Sequence, residues 1–201
     1  MKKILYILCF TIFSLSCKAQ EVVNINQYGS LFNNAGKYYK DVNNVFDDFV
    51  GTWQWQNGSQ TFKVTLWKET MDEQLNGNEP SFYMDEIRGH FQLLEMQNQN
   101  GALVEVELYN SHKKIGNTNK WWQHVISGDT HDGIEFSGLI RDVSIDYPNW
   151  QAGVGGHLKL TIIPNTPLQM QWEVSLPEGM YGIGQPTTFN IPTDITLTKL
   201  Y

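Results

Sequence analysis

An alternation of apolar and polar residues with a period of two is the feature that most constrains the fold of this chain. Phe62, Val64 and Leu66 are each separated by one polar residue, and the two tryptophans of Trp53-Gln54-Trp55 alternate in the same way. Between these runs stands Asn57-Gly58, a dipeptide that tolerates the positive φ angles of a tight hairpin turn. Successive side chains of a strand point to opposite faces, so each run predicts a strand with one apolar face. This part of the chain therefore predicts a β-hairpin.

Similar patterns recur along the rest of the chain, with turn residues between them. Strands are predicted over 82–96, 102–109, 121–126, 134–141, 157–163, 168–176 and 195–200. Turns are predicted at 97–101, 127–129, 132–133 and 164–167. About eight to ten strands joined mostly by short turns predict an all-β fold, a calycin-like antiparallel β-barrel, with a β-sandwich as the alternative. Closure into a barrel is favoured because it removes the exposed sheet edges.

One short stretch has the period of a helix instead. Val42, Val45, Phe46 and Phe49 follow one another at intervals that bring them to a single helical face. They predict a short N-terminal amphipathic helix of two to three turns, which ends at Gly51.

The first residues have the pattern of an export signal. Lys2 and Lys3 precede an apolar run over 4–15, which is too short to cross a hydrocarbon layer of about 30 Å. The run leads into Leu15-Ser16-Cys17, which resembles a bacterial lipobox and predicts that Cys17 is acylated. Cleavage by an ordinary signal peptidase near Ala19-Gln20 is the alternative.

These signals divide the chain and predict its location. We expect a signal peptide with a lipobox-like end over 1–17, a polar tether over 18–40 and a single barrel domain over 41–201. The protein is predicted to be exported and held at the outer membrane by the lipid on Cys17, or else to be periplasmic or secreted. Cys9 leaves with the signal, so no intramolecular disulfide is expected.

The charge of the chain excludes some partners. It has 14 Lys and Arg residues against 21 Asp and Glu residues, a net charge of −7. No basic stripe is present, so nucleic acid is not an expected partner. Acidic character also disfavours adhesion to anionic lipid through charge, and Cys17 is the predicted contact with the membrane.

No residue pattern predicts a reaction, a metal or a cofactor. The five histidines lack the short spacings of metal motifs. The cluster over 129–133 could bind a hard cation but has the composition of a tight turn. The adjacent carboxylates Asp85 and Glu86 would point to opposite faces of a strand, which makes them poor acid–base partners. We therefore predict a protein that is not an enzyme.

The seven tryptophans are more informative about function than these polar residues. They could fill the core, line an apolar pocket or form a platform for a sugar. Trp67 has the parity of Lys63 and Thr65, so it should face away from the core. Adjacent Trp121 and Trp122 must point to opposite faces of their strand. Trp67 and one of that pair are therefore candidates for an outward aromatic patch.

Two resemblances concern the start of the barrel. Gly51-Thr52-Trp53 resembles the opening of calycin barrels, and the Trp of the corresponding Gly-x-Trp in lipocalins plugs the closed end. The stretch 51–59 is also similar to the opening of biotin-binding avidin-like proteins. Ser59 corresponds to a ligand-contacting serine of that family, but Trp55 replaces a ligand-contacting asparagine and cannot supply its hydrogen bond.

A wider resemblance is to a group of exported Bacteroidota proteins built around a domain of unknown function. It rests on the signal ending Ser16-Cys17-Lys18-Ala19-Gln20, on Phe49-Val50-Gly51-Thr52-Trp53, on 57–64 and on 83–89. This resemblance implies membership in an uncharacterised lipoprotein family and implies no activity.

The functional hypothesis is a non-catalytic barrel that binds a small apolar ligand. In it, Trp53 closes the bottom of the barrel, and Trp55, Ser59 and Phe62 contact the ligand. Small residues at Gly89 and Gly138 would leave room inside, although β-bulges also use glycine. The alternative is a solid-core interaction or scaffold module that binds a protein or a glycan through exposed aromatic residues.

Overall fold

The computed structural model of the chain is an all-β protein and describes residues 20–29, 34–76, 79–112, 122–145, 153–179 and 184–201. Its strands are β1 (Glu21–Asn24), β2 (Lys37–Lys40), β3 (Gly51–Asn57), β4 (Gln60–Asn76), β5 (Glu79–Gln99), β6 (Ala102–Asn110), β7 (Ile126–Thr130), β8 (Glu135–Asp142), β9 (Val154–Ile163), β10 (Gln169–Ser175) and β11 (Asp194–Leu200). The predicted signal peptide, Cys17 and Trp121 lie outside the described residues.

Eight of these strands close into an antiparallel barrel. Their order is β5-β4-β3-β11-β10-β9-β8-β7, and β7 returns to pair with β5. The predicted all-β barrel is therefore confirmed, and the sandwich alternative is not the fold. The predicted hairpin is also confirmed: Trp55 lies opposite Phe62 and Trp53 opposite Val64, with Gly58 at a positive φ of 59° in the turn.

The remaining strands extend the sheet beyond the barrel. β6 pairs antiparallel with the C-terminal half of β5, next to the place where β7 meets that strand. β2 runs parallel to β5 and brings Tyr38 opposite Tyr83, and β1 adds to β2. Part of the segment 18–40, which we predicted to be a tether, is therefore paired into the sheet.

The predicted amphipathic helix over 42–49 does not form. The segment is a series of turns, and the helix observed near the N-terminus is a single 3-10 turn at Ile25–Gln27. The physical reason is local: Asn44 adopts a positive φ of 56°, and the Asp41 carboxylate accepts the backbone N–H groups of Val45 and Phe46. Two apolar residues of the segment still pack inward: Phe46 and Phe49 are fully buried in the core.

The boundaries of β7 also differ from the prediction. We expected a strand over 121–126 and a turn at Ser127-Gly128-Asp129, whereas these three residues lie inside β7. Gly128 serves close packing here and not a turn. A Cβ on it would lie 2.5 Å from the backbone oxygen of Ser137 and 2.7 Å from the ring of Phe136, so the glycine makes room for the close approach of β8 and that ring.

Inward-facing side chains from the barrel strands form one continuous apolar core with the segment 42–49. In β4 the even-numbered residues Phe62, Val64 and Leu66 are at most 1% exposed, as the alternation predicts. No helix in the described part of the chain has the length and hydropathy needed to cross a membrane.

Candidate functional site

The residues that we predicted for an interior ligand site lie in different environments. Trp53 is fully buried, and its indole Nε1 donates to the carbonyl oxygen of Phe49 at 2.7 Å. Phe62 is also fully buried, whereas Trp55 opposite it is half-buried and packs against the core. Ser59 is exposed in the hairpin turn. The structure thus brings three of the four residues to the interior side and leaves Ser59 at the surface.

The room that we expected at two glycines is filled by neighbouring side chains. A Cβ on Gly89 would lie 2.6 Å from Leu66 Cδ2 and 3.3 Å from Ile126 Cδ1. A Cβ on Gly138 would meet the backbone carbonyl oxygen of Ser127 on β7 and would lie 2.7 Å from the ring of Phe136. These glycines therefore allow neighbouring apolar groups to interlock, as in a closely packed core.

A larger open space lies on the outside of the barrel, across β3, β4 and β5. This outer cleft has a volume of about 520 Å³, within the range of about 300–1,000 Å³ that is usual for small-molecule sites. One aromatic platform and several hydrogen-bonding side chains line it. The lining residues are Thr52, Lys63, Thr65, Trp67, His90, Phe91, Gln92, Asn110, His112 and Gln123.

Three aromatic rings meet in the outer cleft. Trp67, half-buried on the outward face of β4, stacks against His90 of β5 with a centroid distance of 5.5 Å. His112 meets His90 edge-on at 4.7 Å. The predicted outward orientation of Trp67 is confirmed, because Trp67 lines the outer cleft together with Lys63 and Thr65.

Hydrogen bonds fix the His90 ring in one orientation. Nε2 lies 2.8 Å from the carbonyl oxygen of Gln123, to which it can only donate. In the neutral ring Nδ1 then accepts from the Ser111 hydroxyl at 3.0 Å, and the Ser111 oxygen in turn accepts from the backbone N–H of Phe91. Burial lowers the pKa of His90, and nearby His112 and His124 lower it further, whereas the bond to Gln123 acts in the opposite sense.

The rim of the outer cleft contains charged groups that are largely paired. Lys63 lies 3.9 Å from Glu105 of β6, and Gln92 donates to Glu107 at 2.6 Å. Because these carboxylates balance the lysine, the rim presents hydrogen-bonding groups without an excess of positive charge. This arrangement suits a neutral polar ligand better than an anion.

Sequence comparison assigns a family to this barrel. A family model covers residues 1–200. The chain belongs to DUF6705, a family of unknown function. The search of the curated proteins and the search of the solved structures each returned no match. The prediction of an uncharacterised family is confirmed, and DUF6705 membership carries no activity with it.

The predicted cluster over 129–133 of this DUF6705 chain lies at the tight connection between β7 and β8. Asp132 accepts the backbone N–H groups of Ile134 and Glu135 through one oxygen, which also lies within hydrogen-bonding distance of the Thr130 hydroxyl. These hydrogen bonds, above all that from Glu135, lower the pKa of Asp132. Within the described ranges, no group of three or more His, Cys, Asp or Glu residues is placed to hold a metal ion.

Sequence reasoning found the platform of the outer cleft but missed most of its neighbours. Trp122 is 38% exposed, in agreement with an outward aromatic residue in the 121–122 pair. His90, Gln92 and Gln123 were not singled out. The parity of β5 places His90 and Gln92 on one face, but only the pairing of β5 with β4 brings His90 beside Trp67 and Gln92 opposite Lys63.

Proposed function

We propose that this DUF6705 protein is a non-catalytic binding module of the cell envelope that takes a glycan in the outer cleft. The observation that carries the proposal is the half-buried Trp67 ring surrounded by amide, hydroxyl and imidazole groups. A sugar combines apolar C–H faces with hydroxyl groups, and this lining offers a matching surface to both. The near balance of Lys63 by Glu105 favours a neutral sugar.

The packing of the barrel is the reason for preferring the outer cleft to the interior. An apolar ligand inside would need space beside Trp53 and Phe62, both of which have no exposed surface. The spaces beside Gly89 and Gly138 are already used by Leu66, Ile126 and Phe136. This packing favours the outer cleft over the interior as the binding site.

The bonding of His90 supports a binding role over a catalytic one. Both ring nitrogens are engaged, one with Gln123 and one with Ser111. Ser111 is fully buried, so its hydroxyl cannot reach a substrate in the cleft. This Ser–His pair is thus suited to holding the ring beside Trp67 and not to nucleophilic attack.

We also propose that the protein is anchored at the outer membrane through acylated Cys17. Support comes from the short apolar run before Leu15-Ser16-Cys17. Each buried methylene contributes about 0.8 kcal/mol, so two or three acyl chains would retain the protein at the membrane. Cys17→Ala should release soluble protein on cell fractionation, and unchanged retention in the membrane fraction would contradict the anchor.

A glycan microarray tests the binding function. The wild-type chain should bind at least one class of neutral glycan, and Trp67→Ala should weaken binding about thirtyfold or more, since loss of an interface aromatic costs about 2 kcal/mol or more. Thr65→Tyr supplies a second variant, because Thr65 is exposed and the larger ring should block the cleft without touching the core.

The matched control is Tyr201→Ala, which removes a ring that is 94% exposed and outside the cleft. It should leave binding unchanged. If both Trp67→Ala and Thr65→Tyr bind the glycan as strongly as the wild-type chain does, the assignment of the outer cleft is contradicted.

A further inference from the structure

A second, smaller cleft lies on the same outer surface, across β7, β8 and β9. Its volume is about 240 Å³. Trp122 and His124 form one wall, and Ser127, Leu139, Arg141 and Pro177 are among the other lining residues. Like the outer cleft, it therefore combines a tryptophan with polar groups.

The two clefts share one segment of backbone. Gln123 lines the outer cleft, while its neighbours Trp122 and His124 line the second cleft. Gln123 is fixed there by the bond from His90, and Val125 donates to the carbonyl oxygen of Gly89. The segment 122–125 thus forms a low divide between two adjoining sites.

Strand spacing gives the distance that a ligand must cover. Trp67 lies on β4, and the sheet continues through β5 and β7 to Arg141 on β8. Three spacings of about 4.8 Å separate β4 from β8, or about 14 Å across the strands. A ligand that reaches from Trp67 to the strand of Arg141 must therefore be longer than a single sugar ring, as a linear chain of several rings is.

His124 lines the second cleft beside Trp122. Its Nδ1 is buried and has no hydrogen-bond partner among the described residues, so this atom is not accessible from the cleft. Burial, and then the charge of Arg88, lowers the pKa of His124, which favours a neutral ring.

Arg141 holds the second platform in place. Its guanidinium carbon lies 5.3 Å from the centroid of the Trp122 ring, a cation–π distance. The backbone N–H of Arg141 also donates to the carbonyl oxygen of Val125 at 2.8 Å, which ties β8 to the shared segment. Trp122 therefore lies at a defined position although it is 38% exposed.

We infer that the second cleft is a further subsite for the same ligand and that this ligand is an extended oligosaccharide. The inference rests on the proposed function. One part of the oligosaccharide stacks at Trp67, the oligosaccharide crosses the divide at Gln123, and a later sugar unit stacks at Trp122. Affinity should therefore increase with chain length until both clefts are occupied.

Isothermal titration with linear glucans, xylans, mannans and galactans, each as a disaccharide and a hexasaccharide, tests this inference. In the series that binds, the hexasaccharide should bind about tenfold or more tightly than the disaccharide. Trp122→Ala should remove most of that gain and leave disaccharide binding unchanged. Trp67→Ala should weaken both lengths, and the exposed Leu103→Ala should change neither.

The outcomes separate this inference from the proposed function. Equal binding of both lengths by the wild-type chain, or a length gain that survives in Trp122→Ala, would overturn the second subsite alone. If no series binds the wild-type chain, the proposed glycan function fails and the subsite fails with it. Melting temperatures of the variants, measured alongside, show that each one is folded.

Discussion

The two faces of β4 differ sharply although they alternate residue by residue along one strand. Phe62, Val64 and Leu66 point inward and are at most 1% exposed, whereas Lys63, Thr65 and Trp67 point outward and line a cleft. The inward side chains are fixed by close packing and the outward ones by hydrogen bonds, ion pairs and ring contacts. One strand can thus support the core with half of its side chains and offer a binding surface with the other half.

The largest expected effect lies on the inward face. Phe62→Ala removes a fully buried ring that contacts Phe91 and Trp172, with centroid distances of 5.8 and 5.4 Å. The free energy of unfolding should fall by about 3–5 kcal/mol, measured by urea denaturation. Trp67→Ala on the outward face should lower it by about 1 kcal/mol. Equal losses for the two variants would break the distinction between the faces.

Adding a methyl group inside the barrel should also be destabilising. Gly138→Ala places a Cβ against the Ser127 carbonyl oxygen and the Phe136 ring, and it should lower the free energy of unfolding by about 1–3 kcal/mol. Gly155→Ala on β9 is the matched control, because nothing lies within 4 Å of its added Cβ. A Gly138→Ala protein as stable as Gly155→Ala would mean that the interior has space to spare.

Acidification should lower the free energy of unfolding through His90 in the outer cleft. The pKa of His90 is lowered in the folded chain, so the unfolded chain binds its proton at a higher pH. The free energy of unfolding should therefore fall as pH drops below about 6.5 and stop responding to His90 once pH is below its lowered pKa. His124 acts in the same direction.

Urea midpoints across this range measure the effect. His90→Gln should make the fall with decreasing pH shallower. A His90→Gln protein with the same pH dependence as the wild type would show that His90 titrates alike in the folded and unfolded chains.

The parts of this structure that sequence predicted are those set by local parity. The alternation around Trp53 to Leu66 is sufficient to predict the hairpin, the buried face of β4 and the outward position of Trp67. The turns over 42–49 were missed because Asp41 captures two backbone N–H groups there and Asn44 takes a positive φ, and an apolar spacing does not reveal either.

The clefts were harder to predict because they depend on contacts between distant parts of the chain. His90 and Gln123 are 33 residues apart, and a hydrogen bond joins them only after β7 pairs with β5. Gly128 misled the prediction of β7, since a glycine that makes room for Phe136 reads in sequence as a turn residue. Parity assigns a side chain to a face, but register determines its neighbours.

Native mass spectrometry of the chain from Lys18 onward, purified from a bacterial host, tests the central claim most directly. We expect the native mass to equal the mass of the denatured chain, because the described core side chains pack closely around Trp53 and Phe62. A stoichiometric extra mass that leaves on denaturation, and that is lost in Trp55→Ala, would contradict it and would place an apolar ligand inside the barrel.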